Sequence, residues 1–335
     1  MSTSTTVSTP STPRSASVAR AQLARLWRAS RPLTATGILM LAALAASLAA
    51  MAIDPSQILG APTWLKPAKF AISTAIYAFT LAWIFTYLPE RRRLTAIVGW
   101  LTAVIVTMEV AIIDVQAARG VTSHYNVGTP LDAALFSAMG TGIVIAWGAA
   151  IALTVGLFRQ RFPDEALGWA LRIGMLVTVL GQATGGFMTT PTHAQLEAAR
   201  TGRLTVAGAH TVGAPDGGSG VPITGWSREH GDLRVPHFVG LHAVQLLPAL
   251  VWLIAPAGSA VRRRRAVAVG AAIYVSLFAI LLAQALAGQP VLAPRGAIAL
   301  AFAAWSVALV AGSLFVFAAR ASGVNGGAVP MVASR

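Results

Sequence analysis

Glu109, Asp114, His237 and His242 are the residues best placed to do chemistry in this 335-residue chain, because each lies in or at the edge of an apolar stretch. Ionisable groups at membrane depth are costly, so they pair with one another or mark function. Glu109 and Asp114 are candidate catalytic carboxylates, able to act as general bases. Glu109 and Gln116 are seven residues apart and share a helical face, whereas Asp114 is turned about 140° from Glu109. His237 and His242 are candidate ligands, since imidazole suits haem iron, copper or zinc. They too are turned about 140° from each other, so one helix cannot aim both at one ion. A haem or transition metal would need a further histidine, His124, His193 or His210, from the connecting segments. Lys69, Gln116, Arg119, Asn126, Arg234 and Gln245 are candidate substrate-binding groups around the same end of the chain's helices. Lys69, with Lys66, flanks Pro67 at a helix start, where a cation opposes the dipole and wants a carboxylate such as Asp114 or Glu109.

These residues are carried by a chain that is 56% hydrophobic and 11% charged. A soluble domain needs more polar surface than that. Eight apolar stretches are each near the roughly 20 residues that cross a bilayer. The expected fold is therefore an all-α, polytopic bundle of eight transmembrane helices over 32–320. Pro67, Pro130, Pro236 and Pro294 stand at or near the starts of the second, fourth, sixth and eighth spans, where a missing N–H costs nothing. The pattern suggests two parallel four-helix halves, 33–159 and 166–320. Pro248 is expected to kink the sixth span. Residues 1–31 read as a disordered basic tail, in which 19–31 can form a short helix on the membrane face. Residues 321–335 read as a disordered C-terminal tail. The long connection 189–234 is glycine-rich but holds Val206, Val212, Val221, Ile223 and Trp226, so it is expected to fold as a cap.

The net charge of +14 sets the orientation. With the N-terminus placed in the cytoplasm, the inner segments hold 17 basic residues and three acids, and the other 8 basic and 8 acidic residues cancel. Such a bias is the positive-inside signature, with both termini cytoplasmic. The basic runs are topology signals beside lipid headgroups, which argues for the bilayer as partner and against nucleic acid. All six histidines then fall on the outer side. The absence of cysteine excludes disulfides and thiolate metal sites.

The segments beginning Trp64-Leu-Lys-Pro, Gln116-Ala-Ala-Arg, His210-Thr-Val-Gly and Gly231-Asp-Leu-Arg resemble an uncharacterised family of bacterial multi-pass inner-membrane proteins. The likeness covers most of the chain between Leu33 and Ala319. It implies a bacterial inner (plasma) membrane location and no particular activity. The eight-helix plan, the outer-side histidines and the Gly-Gly, Pro and Thr residues after the fifth span are also faintly similar to haem A synthase. That family places paired histidines around haem, whereas here only the sixth span carries membrane-embedded histidines.

Three functional readings follow. The first is a haem- or transition-metal-binding redox protein. The second is an outer-leaflet hydrolase or transferase using a carboxylate and a histidine. The third is a proton-coupled transporter with Glu109 as relay. A cap that binds another membrane or extracytoplasmic protein accounts for what these leave over.

Overall fold

The computed structural model describes residues 14–254 and 259–321. The expectations for 1–13 and 322–335 lie outside the described residues. From Arg14 onward the expected disordered tail is helical: α1 (Arg14–Ala29) is an amphipathic basic helix. Its Arg25 donates to Thr86 Oγ1 at 3.1 Å and lies over the Tyr87 ring.

The spans follow as α2 (Arg31–Ile53), α3 (Leu65–Phe85), α4 (Arg92–Ala118), α5 (Pro130–Phe158) and α6 (Glu165–Met188). After α7 (His193–Arg200) come α8 (Arg234–Leu241), α9 (Ala243–Ile254), α10 (Ala260–Leu286) and α11 (Gly296–Ala321). Seven of these are long and apolar enough to cross a membrane, and α8 with α9 forms an eighth, bent span. The result is an all-α bundle, with two short two-stranded ribbons among the described residues, β1 (Gln57–Ile58) with β2 (Ala61–Pro62) and β3 (Thr211–Val212) with β4 (Gly231–Asp232). Helix α2 packs on α3 and α4 on α5, while α6 packs on α8 and α9 and α10 on α11.

The sixth span bends by 46° at His242, not at Pro248. Close packing explains the position. A Cβ at Gly181 or Gly240 would stand 2.5–2.6 Å from the other helix's backbone, so these two glycines let α6 and α8 touch. The carbonyls loosened at the break are then taken up by side chains. Thr178 Oγ1 donates to Gly240 O at 3.4 Å and Leu241 O at 3.2 Å, and Tyr274 OH donates to Val239 O. In a bilayer such carbonyls must find partners inside the protein.

The two ends of the bundle differ. At one end lie the arginines: Arg172 donates to the Leu157 and Gln160 carbonyls, Arg263 pairs with Asp164 and Arg264 with Glu165. The large apolar core occupies the half next to this end, built from Leu81, Phe85, Leu153, Leu157, Leu171, Met175 and Leu247 with their neighbours. At the opposite end residues 189–234 fold into a cap. There α7 is closed by a capping box between Thr192 and Gln195, and Gln195 also binds Gly208 through both its amide atoms.

Candidate active site

The cap end gathers its chemistry around Glu109. This residue lies nine positions before the end of α4, about 13 Å down the helix. It is 7% exposed. The turn after α4 does not continue away from the bundle. Val121 N–H returns to Gln116 O at 3.0 Å, and the chain re-enters to bury Ser123. His124 Nε2 then stands 3.3 Å from Glu109 Oε1. On its other side, His124 Nδ1 is 3.1 Å from both Lys66 Nζ and Ser123 Oγ. A lysine ammonium can only donate, so Nδ1 is the acceptor and Nε2 carries the proton that Glu109 accepts. The second carboxylate oxygen, Glu109 Oε2, is buried without a hydrogen-bond partner.

Backbone strain holds this arrangement. Tyr125 adopts φ +62°, unusual for a bulky residue, and its ring packs edge-on against His124 and Phe136. Its carbonyl accepts from Ala207 N–H of the cap at 2.8 Å. Gly208, at φ +116°, passes so close to Met188 O and Tyr125 that no side chain fits there. Strained residues of this kind cluster at functional positions.

Burial holds the His124 pKa below its ordinary value, and the nearby Lys66 charge lowers it further. The hydrogen bond and charge of Glu109 oppose them, and His237 lies close enough to disfavour the proton as well. The ring is thus neutral at pH 7 and bridges Lys66 and Glu109 by hydrogen bonds.

The other expected site residues take up distinct positions. His237 Nδ1 donates to Gly181 O at 2.8 Å, which leaves Nε2 with its lone pair. His242 caps α8 and stacks edge-on against Phe238 at 4.4 Å. His210 is bound into the cap, its Nδ1 3.1 Å from Asp216 Oδ1. A carboxylate neighbour ordinarily raises a histidine, but burial and the Arg234 charge win here and hold His210 down to about 4. His193 begins α7 and is exposed. His124 and His237 lie near each other, but among the described residues no three His, Asp or Glu side chains are grouped to hold a metal ion.

Comparison with protein-family models, curated proteins and solved structures gave no match.

Several expected substrate-binding groups instead bind the protein. Gln116 Nε2 and Arg119 Nη1 both donate to Asp132 Oδ1, at 2.8 and 2.7 Å, which locks α4 to α5. Asn126 builds its own turn, donating to Thr122 O and accepting from Gly128 N–H. Arg234 is held on Asp232, whose side chain is fully buried, and on Gly225 O. Burial pushes the Asp232 carboxyl up, but its bonds from Arg234 and Ser227 N–H outweigh that and hold it low. The Gln245 amide lies 3.3 Å from Thr80 Oγ1 of α3, and turned to satisfy both its atoms its nitrogen donates to Leu241 O and His242 O, both at 3.2 Å. Lys69 does not meet Asp114. Its Nζ reaches the carbonyls of Ile223 and Thr224, both at 3.3 Å, across a tight turn in which Ile223 takes φ +68°. Asp114 faces α2, away from the Glu109 cluster.

Lys66, expected at the helix start to seek a carboxylate, meets Glu109 through His124, and Ser123 is the site residue that sequence reasoning passed over. The cation without an obvious partner at a helix start was the available signal for Lys66. Nothing in the sequence flagged Ser123, which matters only because its turn folds inward.

Proposed function

We propose that this is a multi-pass protein of a bacterial inner membrane, with both termini cytoplasmic and the cap on the outer side. Within it, the Lys66–His124–Glu109 array serves as the acid–base site of a hydrolase or transferase acting at the outer leaflet. The orientation is supported by the arginines at the end opposite the cap. The observation that carries the activity is Glu109 Oε2, a buried carboxylate oxygen without a partner beside an aligned histidine and lysine. Such an oxygen is well suited to accept a proton from a bound water or hydroxyl. The water or hydroxyl oxygen, relieved of its proton, then adds to the substrate's acyl or phosphoryl centre. As the bond to the leaving oxygen breaks, the proton held by Glu109 passes to it. His124 keeps Glu109 oriented through Nε2–H, and the Lys66 charge stabilises the anionic state. The apolar core behind the site favours this reading over passage of protons through the bundle.

The test uses the purified protein in vesicles of total bacterial lipid, with products followed by mass spectrometry. Wild type should cleave or transfer a lipid headgroup or acyl chain, and Glu109→Gln should be slower by about 10²–10⁴-fold. Equal turnover by the two proteins would overturn the proposal.

A second reading keeps haem or a transition metal as cofactor. It rests on His237, whose Nδ1 bond to Gly181 O presents Nε2 as a ligand, the usual way a metal-binding histidine is oriented. The fit is partial: His237 lies near enough to His124 to act on its charge, but no three His, Asp or Glu side chains among the described residues are grouped to hold a metal. A Soret band that is lost in His237→Ala would favour this reading, and a colourless, metal-free preparation would dismiss it.

A further inference from the structure

Asp114 belongs to a different feature, a cleft of about 400 Å³ between α2 and α4. Its walls are apolar and shallow, made by Ala43, Ala46 and Ala50 with Ser47. Trp64 closes the cap-side mouth, and Asp114 supplies the carboxylate. The cleft offers acceptors only. Asp114 Oδ1 is buried with no hydrogen-bond partner. Ser47 spends its hydroxyl proton on Ala43 O at 2.8 Å, leaving only lone pairs. At the mouth, Trp64 Nε1 donates to Asp54 Oδ2 at 2.7 Å. Hydrogen bonds from Ser56, then Trp64, hold the Asp54 carboxyl below the usual carboxylate range, so a second anion stands there. Among the described residues no cation comes within ion-pair distance of either carboxylate.

A carboxylate left unpaired beside an apolar groove calls for a donor that carries positive charge. Asp114 lies about 6 Å below the end of α4, the depth of a lipid's headgroup region rather than of its chain ends. An aromatic ring flanked by carboxylates is also the usual setting for an ammonium group. We propose that this cleft binds one amine-headed phospholipid of the cap-side leaflet, of the phosphatidylethanolamine type. Its ammonium donates to Asp114 Oδ1, its acyl chain runs along the alanine face of α2, and its phosphate stays at the interface. A choline headgroup has no N–H to offer Asp114, so it leaves the oxygen unsatisfied. The site is separate from the Glu109 array, and it stands or falls independently of the activity proposed above.

The test is native mass spectrometry of the full-length protein from nanodiscs holding equal amounts of phosphatidylethanolamine, phosphatidylcholine and phosphatidylglycerol. Wild type should keep one ethanolamine lipid at least 10-fold over either competitor. Asp114→Asn should lose that preference, and so should Ala46→Phe, which fills the cleft while leaving the carboxylate in place. Glu109→Gln should keep it. Free ethanolamine, added as a soluble competitor, should not displace the lipid. Ethanolamine lipid held equally by wild type and both cleft variants would overturn the proposal. So would equal retention of the choline lipid, or displacement by free ethanolamine.

Discussion

Gly181→Ala tests whether the contact between α6 and α8 is what builds the bent span. The new Cβ would sit 2.6 Å from Gly240 Cα, 2.7 Å from its carbonyl carbon and 2.8 Å from Leu241 N. All three are backbone atoms, so no rotamer change relieves the clash and the helices must separate by most of an ångström. Separation stretches the Thr178 bonds to Gly240 O and Leu241 O, already 3.4 and 3.2 Å. It also pulls Gly181 O from His237 Nδ1. Overpacking alone costs about 1–3 kcal/mol, and each weakened hydrogen bond adds about 1 kcal/mol, so a loss of about 3 kcal/mol is expected. Gly186→Ala, five residues along the same helix with open space around it, is the control. There alanine should be neutral or stabilising by up to about 1 kcal/mol, because it favours the helix. Equilibrium unfolding in mixed detergent micelles measures both. A Gly181→Ala protein within about 0.5 kcal/mol of wild type, the span of an ordinary surface change, would refute the packing argument.

Other consequences can be measured. Asp232→Asn removes the charge that pairs with Arg234 and turns one of two accepting oxygens into an NH2, so either Ser227 N–H or Arg234 loses its acceptor; the cap should loosen by about 3 kcal/mol and yield to proteases under conditions where the spans resist. His210, held near 4 in the folded cap, takes its proton first in the unfolded chain, whose histidine titrates near 6.5. Cap stability should therefore be full above about pH 6.5 and fall as pH drops toward 4, by at most about 3 kcal/mol, and hydrogen exchange should show the slope flattening in His210→Gln. Leu59 is an exposed leucine at φ +51° in the β1–β2 turn, so Leu59→Asn should raise the unfolding midpoint modestly, by about 1 kcal/mol.

The spans were legible because bilayer crossing is a one-dimensional property. Uncharged runs, prolines at helix starts and arginines beyond the ends mark α2 to α6, α10 and α11 without reference to packing. The end of α4 at Ala118 and the basic helix before α2 follow from the same signals. Where the sequence reading missed, the deciding contact lay far along the chain. Pro248 is a visible helix breaker, but the bend moved to His242 because Gly181, 61 residues earlier, admits the backbone there. Lys69 went to cap carbonyls because the tight turn at Ile223 brings them over α3. His124 read as a loop histidine, since nothing in its neighbours announces a chain that turns back into the bundle. Glu109 was singled out on depth alone, while its partners Lys66 and His124 come from α3 and the re-entrant turn.

The state of the His124 ring tests the account most directly. Nitrogen-15 NMR of histidine-labelled protein in nanodiscs, with His124 assigned by its absence in His124→Gln, reports which ring nitrogen carries the proton. At pH 7 the ring should be neutral with hydrogen on Nε2. Its pKa should fall further in Glu109→Gln, which removes a raising influence, and climb in Lys66→Met, which removes a lowering one. A proton on Nδ1, or a His124 signal indifferent to both substitutions, would contradict the Lys66–His124–Glu109 array.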